Sequence, residues 1–236
     1  KPQSSWQVAL GAAKTFEGYE ISVETYYKEM SNLIEYQEGA SFFNLGTDWQ
    51  EKVTSGDGTS YGAELLIQKK TGKFSGWVGY TLSWTYRQFD ELNFGEKYPY
   101  KYDRRHDISV VGIYEFSKKF ALSSTWVYGT GNAITLPRST YKTNTGNNGY
   151  YWNDEINNYG SRNDFRMAAY HRMDLGLTWN KDKKNGTRSW SLGAYNLYNR
   201  KNPFYIADGY DNQGNKHFYQ YSLFPVIPYF RYSFKF

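Results

Sequence analysis

The densest group of ionisable residues in the chain is Asp103-Arg104-Arg105-His106-Asp107, and a second histidine, His171, follows at the head of a later apolar-polar segment. Carboxylates and imidazoles around a water are the equipment of a hydrolase, provided they converge within hydrogen-bonding reach. Nothing in the spacing requires that convergence, and alternating charges of this kind also suit a plain network of interstrand ion pairs. His106, His171 and His217 lack metal-ligand spacing and there is no cysteine to join them, so neither a metal site nor a cofactor is expected. All three read as rim residues, with ligand contact from a loop the alternative for His217. Gly129-Thr130-Gly131-Asn132 has the glycines of a phosphate loop without a strand feeding a helix, and reads as a strand end and turn. Basic residues are dispersed, with Lys181, Lys183 and Lys184 together in one short turn, so nucleic acid is not an expected partner.

The segment from Gly131 to Tyr170 carries a different chemistry. Tyr141, Tyr150, Tyr151, Trp152 and Tyr159 stand among Asn and Gly, a mixture suited to stacking on flat or sugar-like faces while amides hydrogen-bond. Tyr150, Tyr151 and Trp152 are the candidate ligand-binding residues. The competing reading is a self-packed outer loop.

The elements that must position these residues are strands. Period-2 alternation recurs: Trp6, Val8, Leu10; Tyr19 to Tyr27 at odd positions; Tyr61, Ala63, Leu65, Ile67; Phe74, Val78, Tyr80, Leu82, Trp84. It continues through Ile108, Val110, Tyr114, Phe116, then Phe120, Leu122, Trp126, Tyr128, then Met173 to Trp179, then Trp190 to Tyr198. The last row is Phe230, Tyr232, Phe234 and Phe236. With 236 residues, 8 Trp, 25 Tyr and 15 Phe, a net charge of +5 and no Cys, the chain is neither disordered nor a disulfide scaffold. An apolar run long enough for a spanning helix occurs nowhere, which excludes a helical membrane protein and leaves a barrel open.

Which face is apolar decides the class. A soluble barrel or sandwich covers its polar face with Lys and Glu, whereas here that face is largely Ser, Thr, Gly and Ala, and aromatics cluster at both ends of the apolar rows. That is the girdle pattern of a membrane barrel with apolar side chains outward. The links divide into short turns (Glu17-Gly18, Thr71-Gly72-Lys73, Ser117-Lys118-Lys119 and the run from Lys181 to Gly186) and long loops. The long loops run from about Asn32 to Gly58, Gln88 to Arg104, Gly131 to Tyr170 and Asp208 to Lys216. If residues 217 to 236 form one long strand, the count is nine, with every long loop on the outside and Phe236 at the short-turn rim. Single-chain bacterial barrels have an even count, so the expectation is an all-β, antiparallel transmembrane barrel sector whose preceding strands lie outside this sequence. The start at Lys1-Pro2-Gln3, without an initiator Met or a signal peptide, fits a processed chain or a piece of a longer one.

The stretches YEISVETYYKEMSNLIEY (19 to 36), YGAELLIQKKTGKFSGWVGYTLSWTYRQF (61 to 89), YDRRHDISVVGIYEFSKKFALSSTWVYGTGNAITLP (102 to 137), SLGAYNLYNRKNPF (191 to 204) and the terminal PYFRYSFKF resemble the C-terminal barrel portion of TonB-dependent outer-membrane receptors. The resemblance implies that residues 1 to 236 are one domain, the last nine strands of a 22-stranded barrel, with an N-terminal plug and the earlier strands upstream. It implies a bacterial outer-membrane protein, not an enzyme, that binds a scarce nutrient outside and imports it with TonB-derived energy. Its partners would be outer-membrane lipid, its own plug and remaining strands, the TonB complex and an unknown nutrient: a ferric chelate, a corrinoid, an oligosaccharide or a peptide. The alternate aromatics Phe230, Tyr232, Phe234 and Phe236 resemble the signal by which barrels are recognised for assembly. A rim protease and a structural or adhesive barrel are the alternatives.

Overall fold

A computed structural model describes residues 1–40, 48–142 and 155–236. Among them, nine long strands form one antiparallel meander: β1 (Ser4–Phe16), β2 (Tyr19–Tyr36), β3 (Val53–Lys69), β4 (Phe74–Gln88), β5 (His106–Ser117), β6 (Phe120–Gly129), β7 (Tyr170–Lys183), β8 (Gly186–Tyr195) and β9 (Ile227–Lys235). Each pairs with its sequence neighbour, β1 and β9 are not paired to each other, and the sheet is therefore an open barrel sector.

Local chemistry sets both rims. Glu17 and Gly18 both take left-handed backbone (φ 45° and 82°), the two-residue turn whose twist matches a hairpin, and Gly18 supplies that geometry without a Cβ penalty. The links β5–β6 and β7–β8 are also two residues long, and β3–β4 is four. Thr187 pairs with Lys235, so Phe236 lies on this short-turn rim as expected.

One expectation fails. Residues 217 to 236 are not one strand: Lys216–Ser222 pairs with Pro203–Tyr210 in a separate outer hairpin, and only Ile227–Lys235 joins the wall. The break follows from Phe224, held at φ 57°, and Pro225, which has no N–H to offer a ladder. The last outer loop therefore runs from 196 to 226. The strand count survives because the detached half belongs to that loop. Likewise β8 stops at Tyr195, where Asn196 turns the chain at φ 50°, although the alternation reads on to Tyr198.

Cross-strand register lines up the apolar rows. Val8, Tyr27, Tyr61 and Trp84 stand side by side near the outer rim, with ring centroids 6.4 Å apart for Tyr27–Tyr61 and 5.3 Å for Tyr61–Trp84. Leu122, Leu177, Leu192 and Phe230 form one outward row across β6 to β9. Phe16–Tyr19, Phe120–Trp179 and Trp190–Tyr232 close the row toward the short-turn rim. These side chains face the medium: Leu10 is 77% exposed, Phe230 68% and Leu192 60%. A soluble sheet would bury this face, whereas a barrel wall gives it to hydrocarbon. The opposite face carries Gln7, Glu24, Glu64, Thr81, Thr178 and Ser191, and at one place Tyr229 lies over Gly193, where any Cβ would collide with its hydroxyl.

Candidate functional site: a cleft at the outer mouth

The Asp103 to Asp107 cluster ties the outer loops to the wall. Asp103 is buried; its Oδ1 accepts the Thr85 N–H at 2.7 Å, and its Oδ2 pairs with Arg105 at 3.4 Å and with Arg166. Arg104 pairs with Asp107 at 3.3 Å and donates to Asn132. The histidines do not join these carboxylates. His106 Nδ1 and the Tyr80 hydroxyl share a hydrogen bond of 2.9 Å, and His171 Nδ1 and the Tyr198 hydroxyl one of 2.7 Å, both in the outward aromatic belt. His217 meets Asp211 at 3.0 Å within the outer hairpin. Asp211 also accepts the N–H groups of Asn215 (2.9 Å) and Gln213 (2.8 Å); the Asn215 backbone and amide bonds, with His217 and Gln213, hold its carboxyl well below the usual range. The groups that hydrolysis would require are thus distributed over the rim, each already engaged.

Tyr150, Tyr151 and Trp152 lie outside the described residues. The strands on either side of them, Pro137–Lys142 and Glu155–Tyr159, pair with each other on the long-loop side. Phe230, Tyr232 and Phe234 stand in the outward rows of β9, and Phe236 follows at the short-turn rim, 97% exposed.

One concavity among the described residues lies on the long-loop side, at residues the sequence did not single out. It is a cleft of about 620 Å³ between the end of β2 and the loops around Asn93, Tyr100 and Arg162. The chain segments that form it also contribute a small buried apolar cluster, Leu33, Phe89, Leu92 and Tyr98, with Phe89 and Tyr98 stacked at 6.4 Å. Trp84 and Tyr86 point outward, so strand alternation turns Arg87 to the lumenal face, where it pairs with Glu35 at 2.8 Å and stacks on Tyr100 at 3.8 Å. Glu35 also meets Arg162 at 3.6 Å. Arg162 N–H donates to Asn93 Oδ1 at 2.7 Å, which joins the loop after β4 to the loop before β7. Asn163 Nδ2 donates to the Pro99 carbonyl at 2.9 Å. The cleft thus has fixed polar walls on the inner side of the outer rim. The available signal was Asn93-Phe94-Gly95, a turn sequence with an aromatic residue at its centre.

An open antiparallel wall, apolar outward and polar inward, with short turns on one rim and welded loops on the other, defines a sector of a large transmembrane barrel. The family model for the β-barrel of TonB-dependent receptors ("TonB dependent receptor-like, beta-barrel") matches residues 1–199, and the chain belongs to that family. Among solved structures it is similar to the ferric-catecholate import receptor Fiu of E. coli K12 (TM-score 0.55, 13% identity, covering 96% of this chain and 27% of that one). It is similar also to the ferripyoverdine receptor of Pseudomonas aeruginosa (0.53, 12%, 95% and 26%) and to the copper transporter OprC (0.52, 17%, 86% and 26%). At these identities the likeness shows the fold, and the chain spans about a quarter of the length of those receptors. No curated protein sequence matches it.

Proposed function

We propose that this chain is the C-terminal part of the barrel of an outer-membrane importer, with a plug and the earlier strands encoded upstream. In this reading the whole protein captures a scarce nutrient at its outer mouth and passes it inward, past the plug, with energy drawn from TonB. It performs no chemistry on the nutrient. The observation that carries the reading is the cleft on the lumenal side of the long-loop rim, where a ligand held by Tyr36, Phe94 or Arg162 already stands at the entrance of the barrel. Family membership supports it, as do structural neighbours described as import receptors and a transporter. The unpaired edges of β1 and β9 support the further strands, since an open edge in hydrocarbon leaves backbone groups without partners.

Tyr150, Tyr151 and Trp152 are proposed to contact the ligand from the neighbouring loop. Replacing all three with Ala, in the full-length protein at matched surface levels, is expected to lower ligand binding by intact cells about tenfold while the barrel stays folded, since lost aromatic contacts cost about 1 to 3 kcal/mol. Wild-type affinity would return that loop to packing or gating. Uptake is expected to stop in cells lacking TonB while surface binding persists; uptake without TonB would reject the energy coupling.

A further inference from the structure

Phe94 is the outlier of the cleft. Its backbone is left-handed (φ 58°, ψ 28°), between Asn93 at φ 53° and Gly95 at φ 77°, and its ring is fully exposed. A bulky residue in this region is strained, and an apolar ring in water gains nothing by being there. Yet the turn is pinned: Gly95 N–H donates to the Leu92 carbonyl (3.0 Å), Glu96 N–H to the Asn93 carbonyl (3.0 Å), Gln88 Nε2 to the Gly95 carbonyl (2.9 Å) and Asn93 Nδ2 to the Glu96 carbonyl (3.1 Å). Leu92, immediately before it, is wholly buried in the apolar cluster. The loop is built to hold one ring out over the cleft, and such an arrangement is repaid only when something covers the ring.

The rest of the lining narrows what that is. Among the lining residues two acids, Glu35 and Glu38, stand with two bases, Lys101 and Arg162, and carry no net charge; Arg87, behind them, is taken up by Glu35 and the Tyr100 ring, and Glu35 also pairs with Arg162. A multiply anionic chelate calls for surplus cations and a cationic ligand for surplus acids; neither is present among these residues. A large flat apolar cofactor calls for continuous apolar walls, whereas Tyr36 and Tyr159 alternate here with Gln37 and Asn163. One chemistry matches all of these features: a ring with an apolar C–H face for Phe94 and hydroxyls around its edge for amides, tyrosines and fixed ion pairs.

We infer that the cleft takes a neutral oligosaccharide, with Phe94 as the stacking platform for one sugar ring. This inference rests on the importer reading and specifies its ligand. The test uses the purified full-length receptor and titration calorimetry with neutral hexasaccharides of glucose, xylose and mannose, alongside a ferric tris-catecholate, cobalamin and a neutral hexapeptide. At least one hexasaccharide should bind, Phe94→Ala should weaken it about tenfold, and Phe94→Trp should restore it. Unchanged heat-dependent gel mobility of both variants checks the fold. If no hexasaccharide binds, the sugar assignment is overturned; if another probe then binds and Phe94→Ala weakens it, the outer cleft survives as the capture site. If a hexasaccharide binds equally well to Phe94→Ala, the role of Phe94 is overturned while import of a sugar stands.

Discussion

The barrel wall and the outer rim of this molecule solve the burial problem in opposite ways. In the wall, large apolar side chains such as Leu10, Leu192 and Phe230 project from the sheet. At the outer rim a few residues close over one another: Leu33, Phe89, Leu92 and Tyr98 form an apolar cluster, and Asp103, Asn196 and Asn202 are buried with their hydrogen bonds made. The wall leaves its burial to lipid; the rim behaves like a small water-soluble fold resting on it. The difference teaches where function can reside, because the rim holds fixed polar geometry in water while the wall supplies the frame.

The strongest way to break the comparison is to put a charge into the wall. Leu177 stands in the middle of an outward row, between Leu122 and Leu192. Leu177→Arg is expected to destabilise the inserted barrel by up to about 4 kcal/mol, as cations do at the midplane, whereas Thr178→Arg on the lumenal face should cost far less. Urea unfolding in lipid vesicles, read by tryptophan fluorescence, checks both. Equal costs would mean that the two faces do not differ in this way, and a larger cost for Thr178→Arg that they have been reversed.

Next comes the rim. The Asp103 side chain is fully enclosed and holds Arg105 and Arg166, whose side chains are 26% and 35% exposed. Asp103→Asn leaves both cations without their partner and the Thr85 N–H with a weaker acceptor. A buried pair broken from one side costs about 3 to 5 kcal/mol, and the partial exposure of the arginines argues for the lower end. The expected result is proteolytic nicking in the 89–105 and 160–169 loops with the wall still inserted. If the barrel itself fails to insert, rim and wall are one cooperative unit.

These two experiments also separate what was legible in the sequence from what was not. The wall could be read because period-2 alternation repeats along its strands, and the odd count followed from those rows together with the division into short turns and long loops. The last segment misled because a split at Pro225 to Pro228, visible in the sequence, reads as a tenth wall strand and is set aside for the side on which it would put the long loops; that Lys216–Ser222 pairs instead with Pro203–Tyr210 outside the wall is a tertiary fact. The cleft was not legible because its walls come from residues near 35, 94 and 162, joined by single bonds such as Arg162 to Asn93 that have no periodicity. The Asp103 cluster was visible, but which arginine it holds was not, since Arg166 is distant in sequence.

A smaller free-energy effect with a large cellular consequence is expected at the short-turn rim. Phe236 closes the outward row of Phe230, Tyr232 and Phe234, and a charge near the interface costs at most about 1 kcal/mol in the folded barrel. If the row is nonetheless an assembly signal, Phe236→Asp in the full-length protein should strongly lower outer-membrane abundance, measured in membrane fractions, with little change in the stability of what is inserted. Unchanged abundance would leave the row as lipid contact alone.

The smallest effect belongs to the tip of the outer hairpin, where Asp211 gathers the N–H groups of Gln213 and Asn215, the Asn215 amide and His217. These bonds favour the ionised carboxylate, so its folded value lies below the ordinary 3.8. A group depressed in this way contributes order that is fully present above the ordinary carboxylate value and is lost only as pH falls below that value, through the folded one. Acidifying from pH 7 to pH 5 should therefore leave Asp211 holding the turn. The Asn215 amide reports on it: hydrogen exchange, corrected for the intrinsic pH dependence of the rate, should keep its protection down to about pH 4 and lose it below, while Asp211→Ala should remove protection at pH 7. Loss of protection between pH 7 and pH 5 in the parent protein would mean that the Asp211 carboxylate is not what holds the turn.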